Sequence, residues 1–292
     1  MQAGLSQYEP AMANYVQAVN AFEGALHVAP DLAMAHSNKA LALTSLGEVQ
    51  ADLSQYEAAM ATYVQAIDAA DAALHLAPDL AMAHNNKALA LSHLGELQVA
   101  LSLYEAAMAS YLHAIDAADA ALRLAPDLAM AQSNRGLALL GLGALQASLA
   151  QHESAMASYS QAIDSFDAAL GLAPDLVMAH NNKGFTHSGL GDLQTELAQH
   201  EEAIQSYTRS IAAYDEALRR ANDFVKVRNN KGLTLSKLGE LQVSLSKGDE
   251  GIETLEAALA EFSRTLEIAP DFAPVRELKG LVQKRIDELR GS

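Results

Sequence analysis

The stretch DLAMAHNNKALALSHLGELQVALSLYEAAMASYLHAIDAADAALRLAP, residues 79–126, decides the fold because the chain repeats it. Residues 31–78 match it at 37 of 48 positions. Working outward, Ala-Pro-Asp recurs with its proline at Pro30, Pro78, Pro126, Pro174 and Pro270, and Ala221-Asn222-Asp223 fills the remaining slot of the same 48-residue period. A Leu-Gly pair ends at Gly47, Gly95, Gly143, Gly191 and Gly239, each followed three residues later by Gln. A fixed period of this length marks an array in which each unit buries its apolar face against its neighbours.

Within one repeat the apolar spacing is helical. From Tyr104 it runs through Met108, Tyr111, Ile115, Ala118, Leu122 and Ala125 in steps of four and three. That is one helix of about 22 residues, roughly 33 Å long. Upstream lies a second helical stretch, which Asp79 opens as N-cap directly after Pro78. Each repeat is therefore a helix hairpin.

Two turn sites compete. Gly95 is a plausible helix stop. Seven residues later Ser-x-x-Glu recurs as Ser6…Glu9, Ser54…Glu57 and Ser102…Glu105, the capping-box pattern of a helix start. In the last full repeat that slot reads Lys247-Gly248-Asp249-Glu250-Gly251, which looks like a turn, and Pro10 falls there near a first turn. A turn at Gly95 would make helices of about 15 and 28 residues and strand the chain about 20 Å from the next repeat. The Leu124-Ala125-Pro126 connector reaches at most about 10 Å. A turn near Ser102 gives matched helices, and leaves Gly95 inside the first helix on a small-residue line with Ala81 and Ala88.

Composition narrows the function. The 292 residues are 50% hydrophobic and 19% charged, without Cys, so thiolate chemistry, disulfides and Cys-based zinc sites are excluded. No apolar run reaches the roughly 18 residues of a membrane span, and no leader-like segment opens the sequence. The expectation is a cytoplasmic protein with no membrane role. The formal charge is −17, all of it in residues 1–207, where 5 Lys+Arg stand against 22 Asp+Glu; residues 208–292 balance at 14 and 14. That argues against nucleic acid and for a basic or amphipathic partner.

At this point the residues point to a family. Ala83-His84-Asn85-Asn86-Lys87-Ala88-Leu89-Ala90-Leu91 with Leu94-Gly95-Glu96 resembles the first helix of a tetratricopeptide repeat. Tyr104 to Met108, Tyr111, Ala114, Ile115 and Pro126 resemble its second helix and closing proline. The resemblance covers nearly the whole chain. The departure is length, the family repeat being about 34 residues, and the extra residues fall equally on both helices. At the family's large aromatic early in the first helix stand His36, His84, Gln132, His180 and Arg228, a weaker match at one core position.

The resemblance implies an all-α, right-handed α-solenoid of antiparallel helix hairpins. It would comprise a lone second-type helix at 7–28, five full repeats at 31–78, 79–126, 127–174, 175–222 and 223–270, and a polar capping helix at 271–289. The N-terminal helix reads as an internal one without a cap, so the chain is expected either to be excised from a longer protein or to dock there on another copy.

Candidate chemistry is sparse. His36, His84 and His180 share one slot, but neighbouring repeats hold equivalent atoms about 10 Å apart, too far for one zinc ion. His152 and His200 replace Tyr56 and Tyr104, a packing slot. Asp68/Asp71, Asp116/Asp119 and Asp164/Asp167 lie at i,i+3, with too few oxygens for a cation. No phosphate loop, nucleophile elbow or zinc motif is present. The reading is therefore no catalytic residue, no metal and no cofactor. Asn38, Asn86, Asn134, Asn182 and Asn230 form a ladder that matches the family's structural asparagine.

What the resemblance implies for binding is a groove along the first helices. It would be lined by Met34, Ser37 and Leu41, then by Met82, Asn85, Leu89 and His93, and next by Met130 and Leu137. Asn181 and Phe185 follow, and Lys226, Asn229, Leu233 and Lys237 end it, the last group being the one place for a carboxylate clamp. The function implied is a non-catalytic scaffold binding a protein or peptide segment, adaptable through methionine. The alternatives are self-assembly through the N-terminal helix or the regulatory repeat region of a larger protein.

Overall fold

The computed structural model describes residues 2–291, with side chains from residue 8 onward. The described residues form twelve α-helices and no strand. They divide into two compact units, Met1–Leu172 and Ala173–Ser292. The first unit holds α1 (Gln2–Val28), α2 (Ala33–Asp52), α3 (Tyr56–Leu76), α4 (Ala81–Ala100), α5 (Tyr104–Leu124), α6 (Ala129–Ser148) and α7 (His152–Leu172). The second holds α8 (Val177–Glu196), α9 (His200–Arg220), α10 (Val225–Ser244), α11 (Gly248–Ile268) and α12 (Ala273–Gly291). Even-numbered helices are first helices of a repeat, odd-numbered ones second helices. The architecture is all-α, of the α-solenoid class.

Inside each hairpin the chain turns three residues wide, as at Leu101–Leu103, and Gly95 sits within α4. The capping-box expectation at Ser54 and Ser102 fails. Both serines sit at φ 59° and 61°, in the left-handed region, and the helices that follow have no side-chain cap. The Ser6 side chain lies outside the described residues. Ser102 N–H donates to Val99 O (2.9 Å) and Leu103 N–H to Gln98 O (2.8 Å). That pair of bonds is a Schellman close of α4, with serine at the position usually given to glycine. Ala150, Ala198 and Ser246 repeat the left-handed geometry, at a cost of about 1–2 kcal/mol per non-glycine residue.

Other boundaries shift for similar reasons. Asp79 is not the N-cap of α4. Leu80 holds that place without a side-chain bond, and its N–H closes a turn on Ala77 O at 3.1 Å. Gly248 opens α11 rather than lying in a turn, Pro10 lies inside α1, and α1 extends beyond the 7–28 expected. The His/Arg slot is a hydrogen-bonding position, half-buried at His36 and His84 and buried at His180 and Arg228. Nε2–H of His36, His84 and His180 donates to Pro30, Pro78 and Pro174 O at 3.0, 3.1 and 2.9 Å. Arg228 and Arg276 reach the matching carbonyls of Asn222 and Pro270. The slot latches each first helix to the turn that precedes it.

The hairpins close on glycine. A Cβ placed on Gly47, Gly95, Gly143 or Gly191 would come within 2.5, 2.8, 2.9 or 2.7 Å of the ring of Tyr63, Tyr111, Tyr159 or Tyr207 on the paired helix. One turn or more away a second contact obeys a volume rule. Ala40 and Ala88 stand where the facing residues are Ala70 and Ala118. Where the facing residue becomes Phe166, Tyr214 or Phe262, the first helix carries Gly136, Gly184 or Gly232 instead. Glycine makes room for the larger ring: a Cβ on Gly136, Gly184 or Gly232 would lie 2.8, 2.8 or 2.6 Å from it, an overlap that a close-packed interior does not allow. The recurring Gln after each Leu-Gly pair has a role too: Ser110, Ser158 and Ser206 each donate to Gln98, Gln146 and Gln194 at 2.7 Å.

Tyr111 is pressed from two sides, by Gly95 of its own hairpin and by Gly141 of α6, where a Cβ would collide with the same ring. The ring is 4% exposed and has nowhere to go. Gly95→Ala gains about 1 kcal/mol of helix propensity but overpacks the core by about 1–3 kcal/mol. A net fall in thermal midpoint is expected by differential scanning calorimetry, and a rise would refute the lock.

Candidate functional site

The ladder of asparagines holds first helix to first helix. In the first unit Asn86 Nδ2 donates to Ser37 O (3.0 Å) and Oγ (3.1 Å), and Asn134 Nδ2 to Asn85 Oδ1 (2.9 Å). In the second, Asn230 Nδ2 donates to Asn181 Oδ1 at 3.3 Å. Ser37, Asn85 and Asn181 are therefore taken off the groove face: they are 1%, 0% and 8% exposed, spent on neighbouring helices. Asn229 Oδ1 is buried with no hydrogen-bond partner, since Leu278 occupies the slot whose asparagine would reach it.

What remains on the face is a stripe of apolar side chains. In the first unit Met34, Leu41 and Met130 are 52%, 37% and 46% exposed, and Met82, Leu89 and Leu137 are half-buried. In the second, Met178 and Phe185 are 51% and 49% exposed, with Leu233 half-buried and Lys226 exposed. On α2, α4, α6 and α8 the Met and the Leu or Phe lie seven residues, two turns, apart, and on α10 Lys226 takes the Met slot. Seven residues further stand Glu48, Glu96, Asp192 and Glu240, all exposed. Apolar stripe and acidic edge thus run side by side within each unit.

His93 and Lys237 belong to that edge rather than to a ligand. His93 donates from Nε2 to Glu48 Oε1 at 2.9 Å, lies 3.5 Å from Glu96 through Nδ1, and stacks on Tyr63 with centroids 6.0 Å apart. Lys237 pairs with Asp192 at 2.7 Å, and Arg285 with Glu240 at 3.0 Å. The clamp expected from Lys226, Asn229 and Lys237 therefore lacks a free Lys237. These pairs link residues 45 apart, a register visible in the sequence only after the repeats are aligned charge against charge.

A second register links residues 16 apart. Lys39 pairs with Glu23 (2.8 Å), Lys87 with Asp71 (2.5 Å) and Arg135 with Asp119 (2.7 Å). Asp71 and Asp119, one member of each acidic pair, thus tie a second helix to the next first helix. Among the described residues no three His, Asp or Glu converge as a metal site. His152 and His200 keep a buried Nδ1 without a partner, at the starts of α7 and α9.

This is a helical-repeat protein whose exposed apolar stripe is built by first helices. The sequence model of the tetratricopeptide repeat matches residues 11–63 and 62–111. Over that stretch, residues 11–111, the chain is similar to tetratricopeptide repeats, with a period of 48 residues. Among solved structures the chain is similar to BtubC (BKLC) from P. vanneervenii, at 15% identity and TM-score 0.62, over 91% of this chain and 93% of that one. TTC0263, a thermophilic tetratricopeptide repeat protein of Thermus thermophilus, aligns at 19% identity and TM-score 0.47, over 82% and 97%. The likeness to BtubC is one of fold. No curated protein matches the sequence. No helix among the described residues is long and apolar enough to cross a membrane.

Burial by itself would lower the pKa of His93, but Glu48 and Glu96 outweigh it and raise the value to about 9. A folded-state pKa above the unfolded one, about 6.5, stabilises fully below that value. The contribution fades as pH rises from about 6.5 to about 9. His93→Gln should therefore shrink the difference in thermal midpoint between pH 6 and pH 9; an unchanged difference would show that His93 is not charged in the fold.

Proposed function

We propose that the chain is a non-catalytic scaffold that binds an amphipathic protein segment along the first-helix stripe. The half-exposed Met34, Met130, Met178 and Phe185 carry this reading, because side chains that merely filled the core would be covered. Methionine adapts to partners of varied shape. The net charge of −17 over residues 1–207 favours a partner with Lys or Arg beside its apolar face. A selection of peptides from a displayed library against the wild-type chain supplies ligands for the test. Leu41→Ala/Leu89→Ala/Leu137→Ala should weaken them about tenfold, roughly 1.4 kcal/mol, with helicity intact by circular dichroism. Ligands bound equally well by the triple variant would defeat the assignment.

One observation favours self-assembly as a second reading. Asn14, Ala21 and Ala25 of α1 are exposed, whereas Thr62, Ala69 and Ala73 in the same slots of α3 are buried. Sedimentation should then show a concentration-dependent mass that Ala21→Lys abolishes. A monomer at every concentration ends this reading.

A further inference from the structure

Eight of the nine methionines of the chain fall into two slots of the 48-residue period. In the first unit one ladder, Met34, Met82 and Met130, stands on α2, α4 and α6 at the head of the apolar stripe. Met34 and Met130 are 52% and 46% exposed, and Met82 is half-buried. The other ladder, Met12, Met60, Met108 and Met156, lies half-buried on the second helices. Met60 packs against the cluster of Tyr63 and Leu94, and Met108 against that of Tyr111 and Leu142.

The chain has no cysteine, so the thioether is its only sulfur. A hydroperoxide oxidises a thioether by two electrons to the sulfoxide. A sulfur lone pair takes the outer peroxide oxygen and the O–O bond breaks. The peroxide proton passes to the departing oxygen, which leaves as water or an alcohol.

The second unit shows which ladder tolerates a polar group. In the stripe slot Met178 is followed by Lys226, which is exposed. In the other slot stand Ile204 and Ile252, packed against the clusters of Tyr207 and Leu255. The stripe slot thus accepts even a charge within the fold, whereas the second-helix slot stays apolar.

We propose that Met34 and Met130, with Met82 between them, form a reversible oxidation site that switches off docking on the first-unit stripe. The proposal rests on the stripe reading given above. A sulfoxide is polar, and an apolar partner face laid over it would bury its oxygen without a hydrogen bond. Leu41, Leu89 and Leu137, seven residues on, carry no sulfur, so the change falls on the methionine half of the stripe. The helix packing beneath is untouched. Reductases specific for the two sulfoxide epimers restore the thioether.

Dilute hydrogen peroxide added to the full chain, followed by digestion and mass spectrometry at timed intervals, tests the site. Met34 and Met130 should reach half conversion about fivefold or more sooner than Met60 and Met108. When both are converted, the circular dichroism and thermal midpoint should match those of the untreated chain. The affinity readout uses peptides selected on wild type and weakened by Leu41→Ala/Leu89→Ala/Leu137→Ala. The oxidised chain should bind them about tenfold less tightly and recover after treatment with both reductases. Met34→Leu/Met82→Leu/Met130→Leu, which nearly conserves volume, should bind them equally well before and after the same treatment. Conversion of Met60 and Met108 as fast as Met34, loss of helix on treatment, unchanged affinity of the oxidised chain, or equal loss in the leucine variant would each overturn the proposal. If no selected peptide responds to the Leu→Ala variant, the stripe reading falls and takes the proposal with it. If peptides respond to that variant and not to oxidation, the proposal alone falls.

Discussion

Everything in this architecture depends on how closely two helices of one hairpin approach, and that distance is set by a tyrosine ring lying on a glycine. At Gly47, Gly95, Gly143 and Gly191 even one methyl group would collide with the facing ring. The ring fills the volume that side chains of both helices would otherwise share, so these four hairpins are thin and alike; in the α10–α11 hairpin Gly239 meets Leu255 and the Gly251 backbone instead. Identical hairpins then stack in the same way, which lets one-residue ties such as Asn86 to Ser37 recur from repeat to repeat. The exchange of Ala with Ala for Gly with Phe or Tyr shows the same constraint met with different residues.

Polar side chains do a second job, fixing how one repeat follows the next. Three registers recur: a His or Arg to the carbonyl six residues earlier, a Lys or Arg to the acid 16 residues earlier, and a cation to the acid 45 residues earlier. Surface ion pairs are each worth about 0–1 kcal/mol, so their sum matters less than their geometry. In the first unit they engage Lys39, Lys87 and Arg135, and the excess of Asp and Glu over Lys and Arg leaves the unit acidic. Buried networks are the exception: Arg228, Lys231 and Glu261 are held close, and burial of Glu261 is overcome by its two cations, which keep its carboxyl below the usual carboxylate range.

Much of the fold was legible. Periodicity placed the hairpins, and the reach of a short connector put the turn near Ser102 instead of Gly95. Cap chemistry was misread, because Ser-x-x-Glu is equally compatible with a serine that ends one helix in a left-handed conformation. Ser54 and Ser102 alone cannot separate the two, but Ala150 and Ala198 in the same slot could not have capped a helix through a side chain, and they share the left-handed geometry. The site was half legible: the Met and Leu slots lie on a surface, whereas Ser37, Asn85 and Asn181 were claimed by partners 49 residues away.

By itself, then, the sequence determined the period, the helix hairpin, the matched helix lengths and the concentration of negative charge before residue 208. These are properties of spacing and composition, and they hold whatever the neighbours do. Only the tertiary structure decided which polar residues are spent on neighbouring helices and which carboxylates, such as Asp68 and Asp116, remain without a cation. That choice depends on which side chains meet across repeats, and a meeting between residues far apart in the chain leaves no mark on local periodicity.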